Sequence, residues 1–220
     1  MTPRKAAAGR KVSIAVPTGA LMPGALRLLA RAGVARLSAD ELGRQLMVDR
    51  SGVRVILVRP ADVPAYVDHG AADLGIVGKD ILWETPGAHY ELVDLKFGGC
   101  RLVLAVPLTS RLNGPETWPP QLRVATKYPR TAGAWFEARG QAVEVVQLHG
   151  SVELAPQVGL VDAIVDLTAT GRTLKENRLR VTAVLGSSTA RLIANQASLK
   201  TRTSAVQAAV GRLREAAHDR

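Results

Sequence analysis

The 220-residue chain carries a formal net charge of +10, and 47% of its residues are hydrophobic, enough for one large domain or two small lobes with a real core. No apolar run approaches the roughly 20 residues of a transmembrane helix, which excludes a membrane-spanning protein. The single cysteine, Cys100, excludes an internal disulfide, and no Cys/His cluster has zinc spacing, so a cytoplasmic location is expected.

Residues 1–11 are basic and Ala-rich but lack the apolar segment of a signal peptide, and they are predicted to be a disordered leader. Short apolar runs then alternate with segments of helical periodicity. In this first half of the chain the predicted helices are 20–32 and 61–69, and the predicted strands are 12–16, 53–58, 74–77, 92–96 and 101–106.

A proline-containing polar stretch, 107–121, interrupts this alternation and is interpreted as a boundary loop. A second series follows, with strands predicted at 123–126, 143–147, 163–166, 181–185 and 190–194, and helices at 131–139, 152–158 and 199–217. Alternation of this kind predicts an α/β fold with largely parallel sheets. In such folds ligands bind beyond the carboxyl ends of the strands, and pockets are frequent between lobes.

The strongest chemical signal is the segment DAIVDLTATGRTL, residues 162–174. Its Thr-Ala-Thr-Gly-Arg-Thr loop follows a predicted strand, so hydroxyls and backbone N–H groups can converge on a phosphate, with Gly171 allowing close approach. Two acids, Asp162 and Asp166, lie four residues apart and suit sugar hydroxyls or a bridging Mg²⁺. The segment predicts a site for a phosphorylated ribose; the alternative is an ordinary polar turn.

Arg59 follows the strand 53–58 and suits bidentate phosphate contact, or alternatively a capping salt bridge to Asp62. The segment GAADLGIVGKD, 70–80, fails the P-loop template because Asp80 replaces the required Ser or Thr. Ser151 and Glu153 suit the start of a helix, or else contact a nucleotide.

The basic charge favours a polyanionic ligand, yet scattered Lys and Arg with few aromatics argue against nucleic acid.

Five segments together resemble the short-form ATP phosphoribosyltransferases, which catalyse the first step of histidine biosynthesis. They are VRPADVPAYVDHGAADLGIVGKDILWE, DLKFGGCRLVLAVP, RVATKYPR, GSVELAPQVGLVDAIVDLTATGRTL and SSTARLIAN, in this order along the chain. The resemblance implies a two-lobe fold similar to type II periplasmic binding proteins, with the active site in the interlobe cleft. Lobe I would take 12–106 and 180–220, and lobe II 107–179 with the phosphate loop.

The implied reaction transfers ribose 5-phosphate from 5-phosphoribosyl 1-pyrophosphate (PRPP) to N1 of the adenine of ATP, releasing pyrophosphate. Mg²⁺ would be the cofactor, held mainly through substrate phosphates. Arg59 and Arg44 match arginines near the leaving pyrophosphate. The implied PRPP residues are Asp162, Asp166, Thr168, Ala169, Thr170, Gly171, Arg172 and Thr173, and the implied ATP residues are Gly78, Lys79, Arg101, Ser151 and Glu153.

One turn departs from the family. After the first strand the family usually has Pro-Lys-Gly-Arg-Leu, whereas this chain has Pro-Thr-Gly-Ala-Leu, so no ligand role carries over to Thr18 or Ala20. The resemblance also implies a regulatory subunit similar to the catalytic domain of histidyl-tRNA synthetases, and a homodimer within a hetero-oligomer. The competing hypotheses are a non-catalytic binding protein for an anionic solute and a nucleic-acid-binding protein.

Overall fold

A computed structural model describes residues 11–42 and 45–219, which divide into two compact units. The first unit contains the described residues up to 81 together with 87–98 and 190–219, and the second contains 82–86 and 99–189. Residues 1–10 of the predicted leader lie outside the described residues, as does Arg44. No helix in the described ranges has both the length and the apolar character to span a bilayer.

The strands in chain order are β1 (Val12–Pro17), β2 (Met47–Arg50), β3 (Val53–Val58), β4 (Leu74–Gly78), β5 (Tyr90–Asp94), β6 (Cys100–Pro107), β7 (Leu122–Thr126), β8 (Val143–Gln147), β9 (Ala163–Thr168), β10 (Leu179–Ser188) and β11 (Ala190–Ala194). The helices are α1 (Met22–Arg31), α2 (Ala39–Leu42), α3 (Val63–Asp68), α4 (Lys79–Glu84), α5 (Pro129–Glu137), α6 (Arg172–Glu176), α7 (Gln196–Thr201) and α8 (Thr203–His218).

The first unit is built on a six-stranded sheet in the order β2-β3-β1-β4-β11-β5. Its central strands are continuous apolar runs because both faces are covered, and every residue of β1 and β4 is buried. α1 and α8 contribute Leu29 and Leu213 to the core on the sheet. On β4 a Cβ at Gly75 would lie 2.7 Å from Val67 and 2.8 Å from Val63, so glycine allows α3 to pack directly against the strand.

The second unit has a five-stranded sheet in the order β10-β6-β9-β7-β8. β9 lies between β6, which is antiparallel to it, and β7, which is parallel. Across the described part of both sheets, five strand pairs are antiparallel and four are parallel. The prediction of largely parallel sheets is therefore wrong; the sheets are mixed, because a buried apolar run looks the same in either direction.

Three further differences concern the lengths of two predicted helices and the unit to which two strands belong. The predicted helix 152–158 is only a 3₁₀ turn, Val152–Leu154, followed by further turns. The predicted helix 199–217 is two helices, α7 and α8. β6 and β10, which the sequence analysis placed mainly in lobe I, pair with each other and with β9, and so they lie in the second unit.

A buried carboxylate ties the first unit together. Asp73, which is 1% exposed, accepts hydrogen bonds from the backbone N–H and the hydroxyl of Ser13, each 2.8 Å, and from the Ser198 hydroxyl at 2.7 Å. Arg202 adds an ion pair. Burial favours the neutral acid, but these hydrogen bonds together favour the carboxylate more, so the pKa of Asp73 lies below its ordinary value. The network joins β1, β4, α7 and the start of α8.

Replacing Asp73 by Asn should destabilise the protein by about 2–3 kcal/mol at neutral pH, because Arg202 loses its anionic partner. Since the folded-state pKa is lowered, the carboxylate stabilises above its unfolded pKa of about 4, and this contribution is lost as the pH falls through the folded value. Urea unfolding at neutral pH and near pH 3 should therefore show a smaller gap between wild type and variant in acid. An equal gap at both pH values would contradict the ionic role.

Candidate functional site

The predicted phosphate loop lies between β9 and α6, at the carboxyl end of β9. Thr168 is 8% exposed, and its Oγ1 accepts a hydrogen bond from the Gly171 N–H at 2.9 Å, which closes the loop. Gly171 has φ +79° and ψ 0°, in the left-handed region. A Cβ there would meet nothing within 4 Å, so glycine is required by the backbone conformation and not by a lack of space.

The rest of the loop faces outwards with donors available. Thr170 and Thr173 are exposed, and within the described chain their backbone N–H groups donate to no acceptor. The Arg172 Nε lies 2.7 Å from Glu176, in an ion pair whose arginine side chain is 84% exposed, so the guanidinium can move to another anion at small cost. The loop thus offers N–H groups, hydroxyls and a cation to a phosphate.

Asp166 lies on β9, two residues before the loop, and is half-buried. Burial raises the pKa of this carboxyl group, and the nearby charge of Glu153 raises it further. The Leu167 N–H and the charge of Lys127 act in the opposite direction but do not cancel the effect of burial. Ionised Asp166 is therefore a strong hydrogen-bond acceptor, and its ionisation costs stability. Carboxyl groups with such shifted pKa values are common at functional sites.

Neighbouring strands add charged side chains near the carboxyl end of β9. Arg101 lies opposite Thr168 in the β6–β9 register, and it is exposed. Lys127 directly follows β7, whose last residue, Thr126, pairs with Val165 of β9. Lys127 was not among the predicted site residues, because its place directly after an apolar strand does not by itself identify the residue beside it.

Asp162 lies at the other end of β9, about 20 Å from the loop at the usual rise of a strand. Its carboxylate accepts from the Arg123 backbone N–H at 3.0 Å and forms an ion pair with the Arg123 guanidinium at 3.1 Å. Burial opposes ionisation, but these bonds outweigh it and lower the pKa of Asp162. The structure thus separates Asp162 from Asp166 and the loop, and gives it the role of fastening β7 to β9.

The remaining predicted site residues belong to several elements of the two units. Arg59 is exposed at the carboxyl end of β3; in the described structure it has no ion pair, and the alternative salt bridge to Asp62 does not form. Lys79, after Gly78, forms an ion pair with Glu91. Ser151 occupies the N-cap position of the 3₁₀ turn but makes no capping hydrogen bond, and Ala169 is exposed.

Comparison with known proteins identifies the family. The sequence model described as "ATP phosphoribosyltransferase" matches residues 59–215. An ATP phosphoribosyltransferase from Rubrobacter xylanophilus is 50% identical over 208 residues, which is 92% of this chain and 96% of that protein. One from Caldanaerobacter subterraneus is 46% identical over 206 residues, covering 93% and 96% of the two chains.

Solved structures agree. The ATP phosphoribosyl transferase (HisG:HisZ) complex from Thermotoga maritima contains a chain that superposes with a TM-score of 0.80 at 31% identity, over 95% of this chain and 100% of that chain. The sulphonate-binding protein SsuA from Escherichia coli superposes with a TM-score of 0.60 at 15% identity, over 94% and 72%, which shows the fold alone. The expected periplasmic-binding-protein-like α/β fold is confirmed, and the chain belongs to the ATP phosphoribosyltransferase family.

Proposed function

We propose that the carboxyl edge of the second sheet is the phosphoribosyl site of this ATP phosphoribosyltransferase, the enzyme of the first step of histidine biosynthesis. In the reaction, ribose 5-phosphate passes from PRPP to N1 of the adenine of ATP, and pyrophosphate leaves. The loop from Thr168 to Thr173 would hold the 5-phosphate, and Asp166 would accept hydrogen bonds from the ribose hydroxyls. The observation that carries the proposal is that a loop with open N–H and hydroxyl donors and a half-buried carboxyl group lie at the same end of β9.

The loop suits a phosphate monoester for chemical reasons. The left-handed Gly171 turns the chain so that the backbone N–H groups of Thr170 and Thr173 are left to bind a ligand. An anion held by N–H groups and hydroxyls does not require a fixed cation, so the exposed Arg172 side chain would leave Glu176 and contact the phosphate after it binds. The sugar hydroxyls of the same ligand would then extend back along β9 towards Asp166.

The chemical step needs charge stabilisation more than proton transfer. As the bond between C1 and the pyrophosphate oxygen breaks, positive charge develops on the ribose and negative charge on the leaving group. An ionised Asp166 beside the ribose stabilises the positive charge that develops on the sugar. Arg59 and Arg44 are proposed to stabilise the negative charge on the leaving group; Arg59 is exposed and forms no ion pair with the described residues, so its guanidinium is available for this. Adenine N1 is uncharged, so it attacks without a general base.

Magnesium is proposed as the cofactor, and when bound it would neutralise the pyrophosphate that departs. Among the described residues no group of three or more His, Cys, Asp or Glu side chains could enclose a metal ion. Mg²⁺ prefers oxygen ligands, and the phosphate oxygens of the two substrates would supply most of them. The chain's own contribution is then to position those phosphates.

The ATP-binding residues Gly78, Lys79, Arg101, Ser151 and Glu153 remain proposals. The ion pair of Lys79 with Glu91 makes this lysine a weaker candidate, because its charge is already compensated. Arg101 is a better one, since it is exposed beside Thr168. Its position would let it reach a phosphate of either substrate.

A regulatory partner is also proposed. The Thermotoga maritima relative was solved as a HisG:HisZ complex, and it matches nearly the whole of this chain. By analogy, this enzyme would be a short-form catalytic subunit that assembles, as a homodimer, with a subunit similar to the catalytic domain of histidyl-tRNA synthetases.

Two acids on one strand provide the test of the site. Asp166→Asn should raise the KM for PRPP at least tenfold, because the amide is a weaker acceptor and lacks charge. Since the folded pKa of Asp166 is raised, its ionisation costs stability above that pKa, so the same variant should melt at an equal or higher temperature at neutral pH.

Asp162→Asn is the matched control. It should lose about 1 kcal/mol of stability, because the bonds to Arg123 weaken, while the KM for PRPP stays within twofold of wild type. Steady-state kinetics and thermal melts of both variants make the comparison. A normal KM in Asp166→Asn, or a large KM effect in Asp162→Asn, would contradict the assignment.

Arg59 is tested separately. Arg59→Ala should lower kcat by roughly 10²-fold while changing ATP affinity much less, if the guanidinium acts on charge that develops in the transition state. Arg54→Ala, on the same strand and paired with Asp49, is the control and should leave kcat unchanged. Near-normal turnover of Arg59→Ala would remove Arg59 from the catalytic set.

A further inference from the structure

Lys127 has a position that no part of the proposed reaction yet uses. β7 runs parallel to β9 and ends at Thr126, which pairs with Val165; Lys127 directly follows β7, and Asp166 directly follows Val165. Lys127 and Asp166 therefore each follow one member of a residue pair on neighbouring strands, which lie about 5 Å apart. Lys127 is exposed, and none of the salt bridges among the described residues includes it.

The charges around Asp166 come from few elements. Lys127, just after β7, contributes a positive charge. Glu153, in the 3₁₀ turn after β8, contributes a negative charge like that of Asp166 itself. From β6 the residue opposite Asp166 is the uncharged Val103. Two carboxylates therefore share this edge, and Lys127 is the cation that acts on Asp166 among the described groups.

We infer that Lys127 is a positioning residue of the phosphoribosyl site, whose ammonium group balances the carboxylates of Asp166 and Glu153 so that Asp166 faces the ribose as an ionised acceptor. The inference rests on the proposed function, in which Asp166 binds the ribose. Burial and Glu153 both raise the pKa of Asp166, and Lys127 opposes them. Without this cation the acid would be neutral over a wider pH range and would accept more weakly.

The pH dependence of the reaction provides the test. Lys127→Met should raise the KM for PRPP about tenfold at neutral pH, with the KM for ATP nearly unchanged, and should shift the acid limb of kcat/KM for PRPP to higher pH. Lys127→Arg keeps the charge and should restore both. Lys175→Met, which removes an exposed lysine from α6, is the control for a general loss of positive charge.

A second measurement, independent of activity, is the titration of the Asp166 carboxyl carbon by NMR in the substrate-free protein. The inference predicts a higher midpoint in Lys127→Met than in wild type or Lys127→Arg. If the midpoint and the KM are both unchanged in Lys127→Met while Asp166→Asn still impairs PRPP binding, the inference fails and the proposed function stands.

Two other outcomes also decide. A raised KM with an unchanged Asp166 midpoint would mean that Lys127 contacts the substrate directly, which overturns a role through Asp166. A shifted midpoint together with normal PRPP kinetics in Asp166→Asn would overturn the proposed function and the inference with it.

Discussion

The position of β9 between an antiparallel and a parallel neighbour is the constraint on which the site depends. Because β6 runs against β9, the start of β6 lies beside the end of β9 and brings Arg101 to Thr168. Because β7 runs with β9 and ends opposite Val165, Lys127 just after β7 comes near Asp166, the residue that follows Val165. One strand thus gathers the Gly171 loop, an acid and two cations from segments far apart in sequence. A change of its register by one residue would move Asp166 to the other face.

The two acids of β9 show how the same residue type takes opposite roles at the two ends of a strand. Asp162 meets a backbone N–H and a guanidinium, so its charge is stabilised and it holds β7 in place. Asp166 is half-buried and near Glu153, and the Leu167 N–H and the charge of Lys127 do not cancel the effect of burial, so its pKa is raised and its charge is disfavoured. A residue that opposes folding locally is expected where function requires it, and the bonds of Asp162 and the buried network of Asp73 offset that cost elsewhere.

Much of this could be predicted from sequence. The loop at Gly171 and the end of its strand were evident because turn residues and apolar runs are local signals. The sequence shows Asp162 and Asp166 four residues apart, but it does not show that Asp162 lies just before β9 and pairs with Arg123 while Asp166 lies near the carboxyl end of that strand. Lys127 was missed because only the register of β7 against β9, which the sequence does not show, brings it near Asp166. The directions of the strands could not be predicted either, because a buried apolar run such as β6 looks the same in a parallel and in an antiparallel pair.

The central claim, that the loop at Gly171 binds the 5-phosphate, is tested most directly by calorimetric titration of PRPP into Gly171→Val and Gly140→Val. Both glycines have positive φ, +79° and +66°, with no atom within 4 Å of an added Cβ, so both variants should suffer similar strain. The account predicts that PRPP affinity falls by about 10- to 100-fold in Gly171→Val, as the loop leaves its left-handed turn, and is unchanged in Gly140→Val. Equal PRPP affinity in the two folded variants would contradict it.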